Sequence, residues 1–178
     1  MRILSFSLLV LAMSQLGGAA WIHLKAEMAQ VLIARAWAKD GPARPWPWAD
    51  TWPVARLQVP ERDVDLYVLA GDTGNSLAFG PGHLSTSAGP GEEGVSVISG
   101  HRDTHFAFLQ LLEQGDQLWL TDKSGQRYEY TVSLTRISDI RQGPLQAAGE
   151  GLVLVTCYPF DAIRAGGPLR FLVLAQPV

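Results

Sequence analysis

A single cysteine, Cys157, in a chain of 178 residues excludes a disulfide framework, a cysteine-based zinc site and an iron–sulfur cluster, each of which needs several thiols. Charge is also scarce. At 17% charged residues the chain is too poor for a coiled coil, and at 47% hydrophobic it is too apolar for disorder. Fourteen Lys/Arg against seventeen acids give a net charge of −3, with none of the basic excess that nucleic-acid binding requires, so no nucleic-acid partner is expected. There is no internal repeat and no glycine loop of Walker or Rossmann form. The length suits one domain, and a chain of this size buries about 70% of its extended surface without staples.

What charge there is lies unevenly. Residues 1–49 hold five Lys/Arg and two acids, and residues 50–178 nine and fifteen, so the two parts face different surroundings. The run from Ile3 to Ile22 carries no charge and is long enough to cross about 30 Å of hydrocarbon as a helix. It reads as an uncleaved membrane anchor over residues 1–24. A cleaved signal peptide, with Gly17, Gly18, Ala19 and Ala20 as the small residues near the cut, is the rival. A helical pattern continues beyond it, with Leu24, Met28, Val31 and Leu32 on one face and His23, Glu27 and Gln30 on another. Asp40-Gly41-Pro42 ends it. Arg2 on one side and Lys25, Arg35 and Lys39 on the other would put the body in the cytoplasm by the positive-inside rule. The activity expected below needs the opposite side.

Residues 25–53 form a helical extension followed by a tether. The stretch 41–53 has four prolines and three tryptophans and is neither helix nor central strand. Its tryptophans either pack on the domain or sit at a membrane interface. From residue 54 to 178 short apolar runs alternate with turn residues. Strands are expected at Val54–Val59, Val64–Leu69, Val95–Ser99, Gln117–Thr121, Tyr128–Ile137, Leu152–Thr156 and Leu169–Ala175, which together argue for an antiparallel barrel or sandwich. Thr121 to Gln126 makes a hairpin turn. One helix is expected from Thr104 to Leu112, capped by Asp103 or Thr104, with Phe108, Leu111 and Leu112 buried.

Three residues draw attention as chemistry. Cys157 ends the run Leu152–Thr156, although a lone cysteine is more often a small buried hydrophobe. His101 follows Val95–Ser99 after Gly100, a residue that permits close approach of backbone or substrate. His105 is expected in the first turn of the helix facing solvent, and His83 in a turn or strand. Arg170 opens the last strand, thirteen residues after Cys157, where an antiparallel pairing would bring it alongside the cysteine. Arg164, in the intervening loop, is its competitor. A histidine and a fixed cation beside a thiol favour the thiolate, which is the attacking form, and the cation can hold the oxyanion formed after attack.

These residues resemble the sortases. The strand end Leu154-Val155-Thr156-Cys157 is close to the family's TLxTC, with leucine in place of the first threonine. The histidine stands upstream in Ser99-Gly100-His101-Arg102-Asp103-Thr104, and Arg170 follows on the next strand. The stretch from Gly80-Pro81-Gly82-His83 to Gly91-Glu92-Glu93-Gly94 is similar to the family's approach to the histidine strand. Cys157-Tyr158-Pro159-Phe160 and the short loop to Arg170 look like the class of Gram-negative proteobacteria.

The resemblance implies a mainly β fold: a closed eight-stranded barrel with one or two short helices, preceded by an N-terminal transmembrane helix. It implies a cysteine transpeptidase that cleaves an LPxTG-like C-terminal sorting signal of a secreted protein through a thioacyl-enzyme and passes it to an amine acceptor at the cell envelope. Cys157 would be the nucleophile, His101 the general acid/base and Arg170 the clamp on substrate and oxyanion. The body would stand on the periplasmic side of the inner membrane, held by a single span. No cofactor is implied, and no metal is expected to be required. Some members hold calcium on acidic loop residues, but beside Glu92 and Glu93 the later loop offers only Asp139 and Glu150. L,D-transpeptidases carry their cysteine in a His-Gly-Cys-Arg type motif, papain-like hydrolases place histidine after cysteine, and caspases use Gln-Ala-Cys; none of these patterns is present. The non-enzymatic alternative is a membrane-tethered β-barrel binding module with an inert buried thiol.

Overall fold

The structure, a computed structural model, describes residues 28–143, 149–163 and 166–178. Its body is a closed barrel of eight strands: β1 (Pro53–Val59), β2 (Val64–Ala70), β3 (Gly82–His83), β4 (Val95–Ser99), β5 (Gln117–Asp122), β6 (Arg127–Asp139), β7 (Gly151–Cys157) and β8 (Leu169–Pro177). Around the barrel the order is β1-β2-β3-β4-β7-β8-β6-β5. Seven of these strands arise where runs of apolar and β-branched residues predict them. β3 is two residues long, too short to show a period, and is held by pairing to Ser99 and Ile98 on one side and Leu69 and Ala70 on the other.

The strands are not all antiparallel, contrary to the expectation from sequence. β2 pairs β3 and β4 pairs β7 in parallel. Periodicity sees only which residues alternate, and strand direction is set by long connections whose course no local pattern encodes. The parallel β4/β7 pair has a functional consequence, because two strands running the same way deliver their C-terminal ends to the same end of the barrel.

Inward-facing alternate residues make the core. Leu57, Val68, Ile98, Leu118, Leu120, Leu152, Leu154 and Val173 are fully buried there, together with Phe106 and Leu109 from the segment after β4. That segment is a series of turns leading into a 3-10 helix at Ala107–Leu111, with no side-chain cap, rather than a helix from Thr104 to Leu112. Its buried apolar residues are Phe106, Leu109 and Leu112, while Leu111 is exposed. A three-residue repeat rotates a different set of side chains inward than the 3.6-residue repeat on which the expectation rested.

Before the barrel a helix, α1, covers 28–37. It lays Ala29 and Ile33 against Leu69, Tyr67 and Phe79 of the domain, buries Ala36 on the same side, and leaves Met28 and Val31 exposed. The expected apolar face is therefore corrected: the small alanines let the helix approach the barrel closely, whereas counting bulky apolar residues chose the wrong side. Gln30 fixes the register, accepting from the Tyr67 N–H at 3.0 Å and donating to the Phe79 carbonyl at 2.9 Å. Lys123, in the β5–β6 turn, donates to the Trp37 and Lys39 carbonyls at the helix end. The stretch 41–53 is not a free tether either. Trp46 packs edge-on against Phe79 at 4.7 Å, and the Thr51 hydroxyl donates to the Ala70 carbonyl. Trp48, by contrast, is 82% exposed. The apolar run Ile3–Ile22 lies outside the described residues, among which no helix is long and apolar enough to cross a membrane.

Candidate active site

Backbone register pairs two of the three singled-out residues and sends the third from the same end of the neighbouring strand. β7 and β8 are antiparallel, and Cys157 stands directly opposite Arg170. β4 and β7 are parallel, with Ser99 opposite Val155 as the last ladder pair. The Gly100 N–H donates to the Val155 carbonyl at 3.1 Å, which carries the pairing one residue further. His101 and Cys157 each follow that last pair by two residues, so both leave the same end of the β4/β7 ladder. Alternate strand residues share a face. Ile98, Leu152, Leu154 and Val173 point into the core, so Cys157, Arg170 and the line of His101 point outward.

Each backbone is held where it is needed. The His101 carbonyl accepts from the Thr104 and Phe106 N–H groups, at 3.3 and 3.0 Å, which folds the chain back under the histidine. The His101 ring is exposed and has no hydrogen-bond partner among the described residues. The buried Thr156 hydroxyl donates to the Gly100 carbonyl at 2.7 Å, tying the cysteine strand to the histidine strand. Cys157 is a free, half-buried thiol. Arg170 is half-buried, and its Nη1 donates to the Gly167 and Leu169 carbonyls, at 2.7 and 2.9 Å. Those two bonds aim the guanidinium and leave Nε and Nη2 without a protein partner among the described residues.

The same outer face has a second property. An outward barrel face is ordinarily polar, yet here Val153, Val155 and Leu172 form a buried cluster with Val95, Val97 and Leu174 packed against it. Val153 and Val155 share the face of Cys157, and Leu172 and Leu174 that of Arg170, so an aliphatic floor on three adjacent strands leads up to the thiol.

A family model of the sortase domain matches residues 57–178. The chain belongs to the sortase family. It is 36% identical over 125 residues to Sortase D of Bacillus subtilis (strain 168), an alignment covering 68% of this chain and 62% of that protein. Sortase C1 of Streptococcus agalactiae superposes with a TM-score of 0.60 at 27% identity, over 71% of this chain and 67% of the other. Sortase A of Corynebacterium diphtheriae, in a lid-mutant form, shares the fold at 24% identity, with a TM-score of 0.61 over 90% of this chain and 95% of the other.

Within this sortase barrel the remaining candidates fall into place. His105 does not face solvent. It is 8% exposed, and its Nε2 is buried with no hydrogen-bond partner. Burial, with a further contribution from the nearby His101, lowers its pKa from 6.5 to about 4. The cause of the misreading is again the turn in place of a helix, which folds His105 inward beside Phe106. His83 is occupied structurally, its Nε2–H donating to the Ala88 carbonyl at 2.8 Å. Arg164 lies outside the described residues. The close approach permitted by Gly100 is that of the Phe106 ring: a Cβ at Gly100 would meet it at 2.6 Å. The acidic loop residues are engaged locally, Glu92 with the Gly89 N–H and Asp139 with Arg141, whose hydrogen bonds draw the Asp139 carboxyl down to about 2. Among the described residues no three His, Cys, Asp or Glu side chains gather as a metal set.

Sequence reasoning passed over Arg102. It is 5% exposed and reaches from the histidine loop to the loop after the cysteine, where its guanidinium meets the Pro159 and Ala162 carbonyls. Only its place next to His101 hinted at a role.

Proposed function

We propose that the protein is a cysteine transpeptidase that cleaves an LPxTG-like C-terminal sorting signal and transfers the acyl group to an amine. The observation that carries this reading is the register: Cys157 stands opposite Arg170, and the parallel β4/β7 ladder ends at Ser99 and Val155, two residues before His101 and Cys157 respectively. In this scheme the Cys157 thiolate attacks the scissile carbonyl carbon, forming the C–S bond and an oxyanion. The two donors of Arg170 without protein partners face that charge, where preorganised donors act most strongly. The intermediate collapses, the C–N bond breaks, and His101 gives its proton to the leaving amine. The acceptor amine then attacks the thioester, loses its proton to His101, and the thiolate is released.

The apolar run Ile3–Ile22 supports a further part of the reading, a membrane anchor at residues 1–24 that holds the catalytic domain, residues 54–178, on the periplasmic side of the inner membrane. The substrate would be a secreted protein and the acceptor an amine of the envelope. The motif Cys157-Tyr158-Pro159-Phe160 and the short loop to Arg170 support membership of the class of Gram-negative proteobacteria.

The test is mass spectrometry of the protein after exposure to a sorting-signal peptide library. A thioacyl adduct on Cys157, absent from a folded Cys157→Ala variant, is the expected result. A thiol inert to peptides and to alkylation at neutral pH would make the barrel a binding module instead. Protease protection of spheroplasts tests the location: a cytoplasmic body or a soluble product starting near Trp21 would refute it.

A further inference from the structure

Arg102 is a fully charged group that is almost wholly buried, and a buried guanidinium is tolerated only when its donors are met. Its Nη1 donates to the Pro159 carbonyl at 2.7 Å, its Nη2 to the Ala162 carbonyl at 2.6 Å and its Nε to an Asp103 carboxylate oxygen at 3.2 Å. The two carbonyls stand 57 and 60 residues further along the chain, in the loop that leaves Cys157. Arg102 itself follows His101 directly.

The need for such a link comes from where the ladder stops. Main-chain pairing of β4 with β7 ends at Ser99 and Val155, extended by one bond from the Gly100 N–H. Among the described residues no main-chain hydrogen bond joins 101–106 to 157–162. His101 and Cys157 thus sit just past the point where the backbone ceases to hold the two strands together, and side chains take over: the Thr156 hydroxyl on the Gly100 carbonyl, and the Arg102 fork on the loop beyond the thiol.

We infer that Arg102 is a positioning residue: by clamping the loop after Cys157 to the loop bearing His101, it sets the distance and orientation of the imidazole relative to the thiol. This rests on the transpeptidase reading of that pair. The role calls for arginine, because one planar head must reach two carbonyls three residues apart, whereas lysine offers a single point charge. Misplacement of a reacting group by about 1 Å costs on the order of 100-fold in rate.

The experiment is alkylation of Cys157 by iodoacetamide, with rate constants followed from pH 5 to 9, for wild type, Arg102→Lys, His101→Ala and the double variant, each checked by circular dichroism. The His101→Ala profile is expected to differ from wild type, and that of Arg102→Lys to move toward it. The double variant should match His101→Ala within twofold at every pH. On a sorting peptide, Arg102→Lys should lose about 10- to 100-fold in kcat with KM within about threefold. A folded Arg102→Lys whose profile superposes on wild type overturns the inference and leaves the active-site reading intact. A His101→Ala profile that superposes on wild type overturns the pairing of His101 with Cys157, and this inference with it. If Arg102→Lys does not fold, Arg102→Gln takes its place in the same measurements; failure of both to fold makes Arg102 a folding residue and overturns the positioning role.

Discussion

Acid should destabilise this protein through one histidine, His105. In the folded chain its imidazole is 8% exposed, with Nε2 unpartnered, and its pKa is lowered from 6.5 to about 4, first by burial and then by the charge of His101. The unfolded chain exposes the ring and binds a proton near 6.5. Because the folded value is the lower one, the unfolded state holds more protons between the two values, and stability falls as pH falls through that window. The contribution is complete above about pH 7 and is lost progressively from about 6.5 to about 4. At ~1.36 kcal/mol per pH unit the full difference is about 3 kcal/mol, of which about 2 kcal/mol is gone by pH 5. For a chain of this size that corresponds to a fall in Tm of roughly 4–8 °C between pH 7.5 and pH 5. The assay is thermal or urea denaturation across this range at constant ionic strength, for wild type and His105→Gln. The neutral side chain carries its own stability cost at every pH, so the slopes are compared and not the absolute values. Carboxylates titrate alike in both proteins and cancel. Wild type should lose about 2 kcal/mol more than His105→Gln between pH 7.5 and pH 5. Parallel curves would refute the buried neutral imidazole.

His101→Ala should cut kcat/KM on a sorting peptide by about 100- to 10,000-fold at pH 7.5, with His105→Gln close to wild type; comparable losses at the two positions would overturn the choice of base. Arg170→Lys keeps the charge but not the fork that grips Gly167 and Leu169 while presenting further donors, so a loss of about 100-fold is expected, and activity within threefold of wild type would show that the arginine is not a clamp. Gly100→Ala drives a methyl into the fully buried Phe106 ring and should cost about 1–3 kcal/mol, read as a lower urea midpoint with an unchanged slope; an unchanged midpoint would mean that the ring has room to move.

Local chemistry alone determined much of this molecule. Seven strands are legible because short apolar and β-branched runs bounded by turn residues dictate the element, and the β5–β6 turn because Asp122 accepts from the Ser124 and Gln126 N–H groups within four residues. Cys157, His101 and Arg170 stand out because strand ends next to glycine or proline are where a side chain is both fixed and accessible. The tertiary structure decided what depends on contacts far apart in the chain. The parallel course of β4 and β7 sends the strand ends that lead to His101 and Cys157 the same way, and no residue near either one encodes strand direction. The inward turn of His105 and the 3-10 geometry after it follow from the Phe106 ring filling the space over Gly100, a contact absent from any helical pattern. The inner face of α1 is chosen by the surface it meets, where alanines permit closer packing than the larger residues on its other side. Arg102 looked like a loop charge in sequence, because the carbonyls that justify its burial lie 57 and 60 residues away, and only the folded chain brings them within reach of one guanidinium.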